Sequence, residues 1–425
     1  MRIGWLRGIL LRIQYSLNRP TRPGEPAEGM SVMRTPVLPF CLAAVAFSAW
    51  VEIRPPVVLL AQPQISDPVI ALLKDLVDAP GPPGFEGPVR AILMRELKAA
   101  GIGSSTDGLG SVIGVLPGPP GSPRIMLAAH MDEVGAMVRY ITADGLVKFQ
   151  LLGGWMDQGL ADQRWTIVTQ KGPVTAISGQ RSTHISPAEE RTRVTPRDDV
   201  FLDVGARSGA EAEALGIRPG DPIVPVSAFA AVANGRYVGK ALDDRVGCVM
   251  LLEVLRRLDT QHIKLPATIY FVGTVQEELG IRGAHTAVER VKPDLGISLE
   301  AGIAADHPGG RLDYAQERLG GGPVLYLADS QMIVNLKLRD LFQRVAADTG
   351  IPVQTEVISG GYEDSAEIQR FGGGTPSINF AVPTRYLHGH NSMIDRKDLE
   401  QAIVLLMGVL ARLDHNTVTQ IASFQ

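Results

Sequence analysis

One stretch of this 425-residue chain restricts its fold more than any other: an apolar strand that runs into two adjacent glutamates. Residues 267–274 read ATIYFVGT, a β-branched and aromatic run typical of a buried strand. Glu277 and Glu278 follow within three residues. Two carboxylates at such a position are costly to desolvate unless a cation offsets their charge. A metal ion would do so, although for this stretch in isolation a solvated pair of glutamates in a loop is the simpler interpretation.

Length and composition exclude several classes of protein. A chain of this length can form about two domains, or one large domain with an insertion. Its formal net charge of -4 argues against a nucleic-acid partner, because no basic excess is available to neutralise phosphates. Cys41 and Cys248 cannot build a disulfide framework, and neither lies in a CxxC or Cys/His cluster, so a thiolate metal site is not expected.

The first 65 residues differ in composition from the rest of the chain. A basic residue, Arg34, precedes an uncharged apolar run at 36–50, and a small residue, Ala61, closes the segment. This arrangement resembles a secretory signal with a natural start at Met30 or Met33, so we expect export to the periplasm or the exterior. The alternative is a cytoplasmic enzyme with an N-terminal extension. The run is too short and too interrupted for a membrane span, which needs about 20 apolar residues.

Two kinds of pattern follow the N-terminal extension. Residues 66–141 and 235–425 alternate helical and strand-like segments, which predicts an α/β domain with a mostly parallel sheet flanked by helices. Between them, residues 142–234 lose the helical periodicity and read as short strands, which predicts an inserted small β-barrel domain. His184 is the one histidine of this insert. We interpret it as a loop residue and not a ligand, because no carboxylate flanks it closely.

A histidine and an aspartate close another apolar strand, in IMLAAHMDEVG at 125–135. Ligands of open α/β sheets bind beyond the carboxyl ends of the strands. Residues i and i+2 of an extended segment share a face, so Asp132 can accept a hydrogen bond from one nitrogen of His130 while the other nitrogen meets a metal. A His–Asp pair that merely ends a strand explains this motif equally well on its own.

Three further segments add candidate ligands. Asp243 and Asp244 precede an amphipathic helix, where either can cap the helix or bind a metal. Glu300 ends the strand-like run LGISLE, and His388 lies in the loop PTRYLHGH. The complete candidate set is His130, Asp243, Glu278, Glu300 and His388. One bridging carboxylate, with a histidine and a carboxylate for each ion, makes a two-metal site that suits Zn, Co or Mn.

The motifs HMDEVG, KALDDRVG, VQEELG and PTRYLH, in this order, closely resemble those of the dinuclear metallo-aminopeptidases of metallopeptidase family forty-two. That family includes the tetrahedral and glutamyl aminopeptidases, formerly named endoglucanase M. The likeness covers residues 67–413 and implies a zinc-exopeptidase-like fold. The insert separates His130 from Asp243, whereas carboxypeptidase-type relatives carry their lid domain after the fourth ligand.

The resemblance also implies roles for individual residues. Asp243 would bridge two divalent ions, zinc first and cobalt or manganese as alternatives, and Glu277 would be the general base, with Asp132 a second catalytic residue. The other four candidates would complete the ligand shells. Two departures matter: Glu300 stands where the family usually has aspartate, and His390 offers a rival imidazole to His388. Family members often form dodecameric shells, so we also expect a homo-oligomer.

The expected activity is removal of N-terminal residues from peptides, through a metal-bridging water and a glutamate base. One alternative is a metal-dependent hydrolase of another bond, an N-deacylase or a glucanase. Glycosidases normally use two carboxylates and no metal, which disfavours the glucanase. The other alternative is a non-catalytic peptide-binding domain on a peptidase scaffold, but such proteins generally lose ligands. No motif indicates which N-terminal residue is preferred.

Overall fold

The computed structural model describes residues 66–423. The signal-like segment, with the two candidate start residues Met30 and Met33, lies outside these described residues. None of the helices in residues 66–423 combines the length and apolar character that a membrane crossing requires. The predicted export and the predicted start site therefore remain predictions.

The helices of the described part are mostly amphipathic segments with one face in the core. They are α1 Pro68–Asp78, α2 Gly87–Ala99, α3 Gly209–Ala214, α4 Leu242–Thr260, α5 Arg282–Val291, α6 Leu336–Thr349, α7 Ser365–Arg370, α8 Arg396–Leu410 and α9 His415–Ala422. Helix α1 shows why they begin where they do. The Asp67 side chain accepts hydrogen bonds from the first free N–H groups, at Val69 and Ile70, and a proline occupies the first turn.

The strands form two separate sheets. They are β1 Ser104–Thr106, β2 Val112–Leu116, β3 Arg124–His130, β4 Gly135–Ile141, β5 Val147–Leu152, β6 Gln163–Thr169, β7 Gly172–Ser178, β8 Pro222–Pro225, β9 Ala230–Val232, β10 Arg236–Gly239, β11 Thr268–Thr274, β12 Leu295–Ile303, β13 Val324–Ala328, β14 Gln354–Val357, β15 Ser377–Arg385 and β16 Ser392–Asp395. The larger sheet has the order β1-β2-β11-β3-β12-β15-β16-β10-β9, and β13, which pairs with β14, also pairs with β15.

The larger sheet is mixed, which corrects the prediction of a mostly parallel sheet. Its centre, β11-β3-β12-β15, is parallel, but the strands on both sides pair in antiparallel fashion. Parallel neighbours need a crossover connection of about a dozen residues or more, whereas antiparallel neighbours can be joined by a short turn. Residues 107–111 join β1 to β2 and residues 386–391 join β15 to β16. These connections are too short for crossovers.

The smaller sheet belongs to the segment between His130 and Asp243. It is antiparallel, in the order β5-β4-β8-β6-β7. Leu202 and Asp203 form isolated bridges to Val147 in β5 and to Ile177 in β7, the two edge strands. The small barrel and the domain boundaries expected from the sequence remain predictions.

The core of the larger sheet fixes where the candidate site lies. Buried residues of α4 pack against β3 and β12, with side chains such as Val249 and Leu252 removed from solvent. The parallel strands β3, β11, β12 and β15 all point their carboxyl ends toward the same edge. Strand β3 ends in His130, Glu278 and His388 follow β11 and β15, and Glu300 lies three residues before the end of β12, which continues beyond the strand end expected from the sequence. The fold thus gathers these residues at one edge.

Candidate metal centre

Asp243 lies between two histidines from distant parts of the chain. Its Oδ1 is 3.0 Å from Nε2 of His130, and its Oδ2 is 3.2 Å from Nε2 of His388. The same nitrogen of His388 lies 3.7 Å from Oε1 of Glu278. Strand β3 supplies His130, the start of α4 supplies Asp243, and the loop after β15 supplies His388. One carboxylate thus faces both imidazoles, as a bridging ligand would.

Two groups of ligand-type side chains have donor atoms within 4.8 Å of one another: Asp243 with Glu278 and His388, and His130 with Asp244 and Glu300. The first group contains three of the predicted ligands. The second brings His130 and Glu300 together but adds Asp244, which was not in the predicted ligand set. All five predicted ligands therefore lie in one cluster.

Asp244 is fully buried and supports the site through backbone groups. Its Oδ1 accepts the N–H of Gly247 at 2.9 Å, inside α4, and its Oδ2 accepts the N–H of His130 at 3.2 Å. The peptide bond that joins it to Asp243 is cis. The Asp-Asp sequence before a helix was the available signal for this residue, and capping was one of the two roles expected there. The contact with His130 comes from tertiary structure and has no sequence signature.

Backbone carbonyls orient both imidazole rings. Nδ1 of His130 lies 3.2 Å from the carbonyl oxygen of Asp132, and Nδ1 of His388 lies 2.8 Å from that of Gly154. A carbonyl only accepts, so each Nδ1 carries a proton, and in the neutral ring, which is the form that binds a metal, each Nε2 has a free lone pair. Both Nε2 atoms face Asp243. This is the arrangement that fixes a histidine as a metal ligand.

The Asp132 carboxylate contacts more than the His130 ring expected from the sequence. Its Oδ1 is 3.5 Å from Nδ1 of His130, and the carbonyl oxygen of Asp132 is closer, at 3.2 Å. The carboxylate also accepts the backbone N–H groups of Glu277 at 3.0 Å and of Glu278 at 3.1 Å. Asp132 therefore holds the Glu-Glu turn in place, one oxygen for each residue.

Glu277 sits in a backbone that is fixed from both sides. It begins a short 3₁₀ turn, and Gln276 before it has a left-handed φ of 55°. The buried Glu86 carboxylate accepts the N–H of Gln276 at 3.1 Å and that of Gly84 at 2.7 Å. The Glu277 side chain itself has no hydrogen bond to another side chain or backbone group within residues 66–423. It is buried and close to the cluster.

The electrostatics of the cluster fit divalent cations. Burial raises the pKa of Glu278 and of Glu300 to about 8, and neighbouring carboxylates add to the effect. Burial opposes protonation of His388, yet its hydrogen bond to Asp243 raises its pKa to about 9. Oε1 of Glu278 and Oε2 of Glu300 are buried without a hydrogen-bond partner in the described residues. Crowded acidic groups with unpaired oxygens are costly unless a metal offsets them, so these residues fit the implied ions.

The comparison with known families agrees with this chemistry. The model of the M42 glutamyl aminopeptidases matches residues 110–405. The chain belongs to the peptidase M42 family. It is a metal-dependent aminopeptidase, a hydrolase that acts on peptides, which confirms the predicted family and enzyme class.

Individual members of the M42 family match over nearly their whole length. The chain is 33% identical to the glutamyl aminopeptidase of Lactococcus lactis, over 83% of this chain and 98% of that protein. It is 31% identical to the lysyl aminopeptidase of Pyrococcus furiosus, over 80% and 96%. The crystal structure of a TET aminopeptidase from a marine sediment thaumarchaeote superposes with a TM-score of 0.81 at 41% identity, covering 84% of this chain and all of that one.

Two further histidines of this M42 aminopeptidase, His390 and His184, lie outside both groups of candidate ligands. His390 is buried against Trp155 and Trp165, with ring centroids 5.7 and 4.4 Å apart, and belongs to neither ligand group. Burial lowers its pKa to about 4, and neither ring nitrogen has a hydrogen-bond partner in the described residues. The geometry thus favours His388 over His390 as the ligand. His184 lies exposed on the segment after β7.

Proposed function

We propose that this aminopeptidase binds two divalent ions and removes N-terminal residues from peptides with Glu277 as the general base. The observation that carries the proposal is the position of Asp243, between the Nε2 atoms of His130 and His388 at 3.0 and 3.2 Å. A single carboxylate with a histidine on each of its oxygens is the donor pattern of a bridged pair of ions.

The ligands divide between the two proposed ions. His130 and Glu300 would hold one, His388 and Glu278 the other, and Asp243 would join both. Imidazole and carboxylate donors suit zinc, cobalt or manganese, and we propose zinc first. When bound, such ions polarise the scissile carbonyl and lower the pKa of an attacking water toward neutrality.

The adjacent glutamates have separate tasks in this proposal. The Glu277 carboxylate takes a proton from the attacking water and later gives it to the nitrogen of the leaving amine. Glu278 has the other task in this proposal, because its Oε1 lies 3.7 Å from Nε2 of His388 in the group that also contains Asp243. Asp132 keeps the two side chains apart, because each of its oxygens holds one of the two backbone N–H groups. Proton transfer and metal binding are thereby assigned to neighbouring residues.

Metal removal and restoration test the proposal. Dialysis against a chelator should abolish release of p-nitroaniline from aminoacyl-p-nitroanilides, and Zn, Co or Mn should restore it. Metal analysis of the restored enzyme should give two ions per chain, and His184→Ala should bind as many as the wild type. A fully active chelated enzyme, or saturation at one ion, would overturn the two-ion proposal.

We also propose that the enzyme is a homo-oligomer, with a dodecamer as the first candidate. The supporting comparison is the TET1 peptidase of Pyrococcus horikoshii, which can assemble into a tetrahedron or a large octahedral shell and to which this chain is 30% identical. Light scattering coupled to size-exclusion chromatography of the purified protein measures its mass directly. A monomeric mass at micromolar concentration would contradict this proposal.

Export, with a start at Met30 or Met33, is the remaining proposal. It rests on the composition of residues 1–65. N-terminal sequencing of the mature protein should find a terminus near residue 62. A mature protein that begins at Met1 or Met30 would contradict export.

A further inference from the structure

The loop at residues 359–364 is fixed against the edge that carries the metal centre. The N–H of Ser330, after β13, donates to the carbonyl oxygen of Gly361 at 3.2 Å. The hydroxyl of Thr274 donates to Oδ2 of Asp364 at 2.5 Å. Thr274 is the last residue of β11, and Glu277 lies in the turn that follows. The loop is therefore anchored on both sides of Glu363, at Gly361 and at Asp364, beside the proposed general base.

Glu363 is an acidic residue of the site that the proposed mechanism does not use. It belongs to neither group of candidate metal ligands. Its carboxylate is partly buried and forms no hydrogen bond or ion pair with any residue in the range 66–423. Burial, and after it the charges of Glu300 and Glu277, raises its pKa well above the ordinary value. Within the described residues this carboxyl group has no cationic partner, and an ammonium group of a ligand beside it would favour its charged form.

Basic side chains on neighbouring segments are already neutralised. Nζ of Lys240, three residues before Asp243, lies 2.7 Å from both oxygens of Glu133. The guanidinium of Arg385, three residues before His388, contacts the carboxylate of Asp306 at 2.7 Å. These cations are not free to bind an acidic substrate side chain. Glu363, unlike Asp364 in the same loop, has no hydrogen-bond partner in the described residues and could pair with a cationic group of a ligand.

We propose that Glu363 is a specificity-determining residue that binds the ammonium or guanidinium group of an N-terminal lysine or arginine. This inference rests on the proposed peptidase function and adds the class of N-terminal residue. The preceding residue, Tyr362, is exposed, and its hydroxyl lies 4.0 Å from the position of a Cβ on Gly280. An aromatic side chain beside the carboxylate provides an apolar surface for the methylene groups of a lysine chain.

A matched pair of substrates tests this assignment. Lysine and norleucine side chains share their methylene chain, but only lysine ends in an ammonium group. On metal-loaded wild-type enzyme, kcat/KM should be higher for lysyl-p-nitroanilide than for norleucyl-p-nitroanilide. Glu363→Gln should lower the lysyl value about 10- to 100-fold, the worth of a charge-assisted hydrogen bond, and leave the norleucyl value close to that of the wild type.

Controls separate the charge of Glu363 from general effects. Glu367→Gln removes one negative charge from α7, where Glu367 pairs with His285 at 2.9 Å, and should leave the lysine preference unchanged. Glu363→Ser repeats the loss of charge with a smaller side chain. Metal content and thermal unfolding are measured for every variant. Calorimetric titration of the wild type with L-lysine and L-norleucine adds a binding readout, in which L-lysine should bind more tightly.

Three outcomes would overturn the inference. One is a wild-type enzyme that prefers norleucine, or that prefers glutamate through the exposed Arg282 at the start of α5. Another is a Glu363→Gln variant that keeps the full preference for lysine. The third is an equal loss on both substrates, which would assign the carboxylate to the α-ammonium group that all substrates share. Failure of the proposed function looks different, because the metal-loaded wild type would then release no residue from any anilide.

Discussion

Nδ1 of His388 donates a 2.8 Å hydrogen bond to the carbonyl oxygen of Gly154. Gly154 follows β5 of the smaller sheet, whereas His388 follows β15 of the larger one. The contact therefore links the segment between His130 and Asp243 to the metal centre. A carbonyl partner on Nδ1 holds the ring so that Nε2 faces Asp243 and Glu278. The orientation of His388, which follows a strand of the larger sheet, thus depends on Gly154, which follows a strand of the smaller sheet.

Enlarging Gly154 should weaken one of the two ion sites. A Cβ on this residue would lie 3.0 Å from Nδ1 of His388, so the ring must move by a few tenths of an ångström. We expect Gly154→Ala to lower the affinity for one ion by about 10- to 100-fold, as loss of a supporting contact to a ligand typically does. Isothermal titration of the chelated protein with Zn²⁺ measures this.

The smaller sheet also offers a control for Gly154. Gly159 has no heavy atom within 4 Å of the position of an added Cβ. Gly159→Ala should bind both ions with the affinity of the wild type. Equal affinities for the two variants would show that the Gly154 carbonyl does not orient His388.

Glu277 and Glu278 should respond differently to the same substitution. Glu277→Gln should keep both ions and lose about 10²- to 10⁴-fold in kcat, the usual contribution of general acid–base catalysis. Glu278→Gln should instead lose metal, because Oε1 of Glu278 lies 3.7 Å from Nε2 of His388 in the group that also contains Asp243. Metal analysis and anilide kinetics on the same preparations distinguish the two. If Glu277→Gln kept nearly the wild-type kcat, Glu277 would not be the general base.

The sequence could predict the candidate ligands because His130, Glu278, Glu300 and His388 lie near the carboxyl ends of strands with a clear apolar pattern, and Asp243 lies where an amphipathic helix begins. Carboxyl ends of parallel strands meet at one edge, so His130 and Glu300 could be brought together without coordinates. Contacts that involve backbone groups of distant residues were harder to predict from the sequence. The hydrogen bond from His388 to Gly154 and the one from the His130 N–H to Asp244 join segments far apart in the chain, and no local pattern encodes them.

The antiparallel sides of the larger sheet were missed for a related reason. Apolar runs predict that strands exist, and alternation with helices favours parallel pairing. Strand direction at the edges depends on the length of each connection, and the short loops before β2 and β16 become evident only when the strand ends are known. The sequence also could not show that the Glu363 carboxyl group has no hydrogen-bond partner in the described residues, because this depends on the residues that surround it in the fold.

The two histidines of the HGH motif should be distinguishable by substitution with phenylalanine. His390 packs edge-on against Trp165 at 4.4 Å, and its ring nitrogens make no hydrogen bond within the described residues. His390→Phe should therefore retain both ions and most of the activity, since an apolar ring replaces polar atoms without partners. His388→Phe should lose an ion and nearly all activity. If His390→Phe lost as much metal as His388→Phe, His390 would also have to be counted as a ligand.

The buried carboxyl group of Glu317 should make the stability of the enzyme depend on pH. It belongs to neither group of candidate ligands, it accepts a hydrogen bond from the Tyr326 hydroxyl, and its Oε2 has no partner in the described residues. Burial, partly offset by that hydrogen bond, raises its pKa from 4.5 to about 8. Between these values the folded chain keeps a proton that the unfolded chain has lost. The free energy of unfolding should therefore fall as the pH rises through this window.

Replacing Glu317 with glutamine removes this titration. The Tyr326 hydroxyl can still donate to the amide oxygen, so Glu317→Gln should fold, and the wild type should lose on the order of 3–5 kcal/mol relative to it between about pH 5 and pH 8. Urea unfolding of both proteins across that range measures the difference. Glu189→Gln, at an exposed position, should follow the wild-type curve. Parallel curves for the wild type and Glu317→Gln would show that Glu317 titrates alike in the folded and unfolded chains.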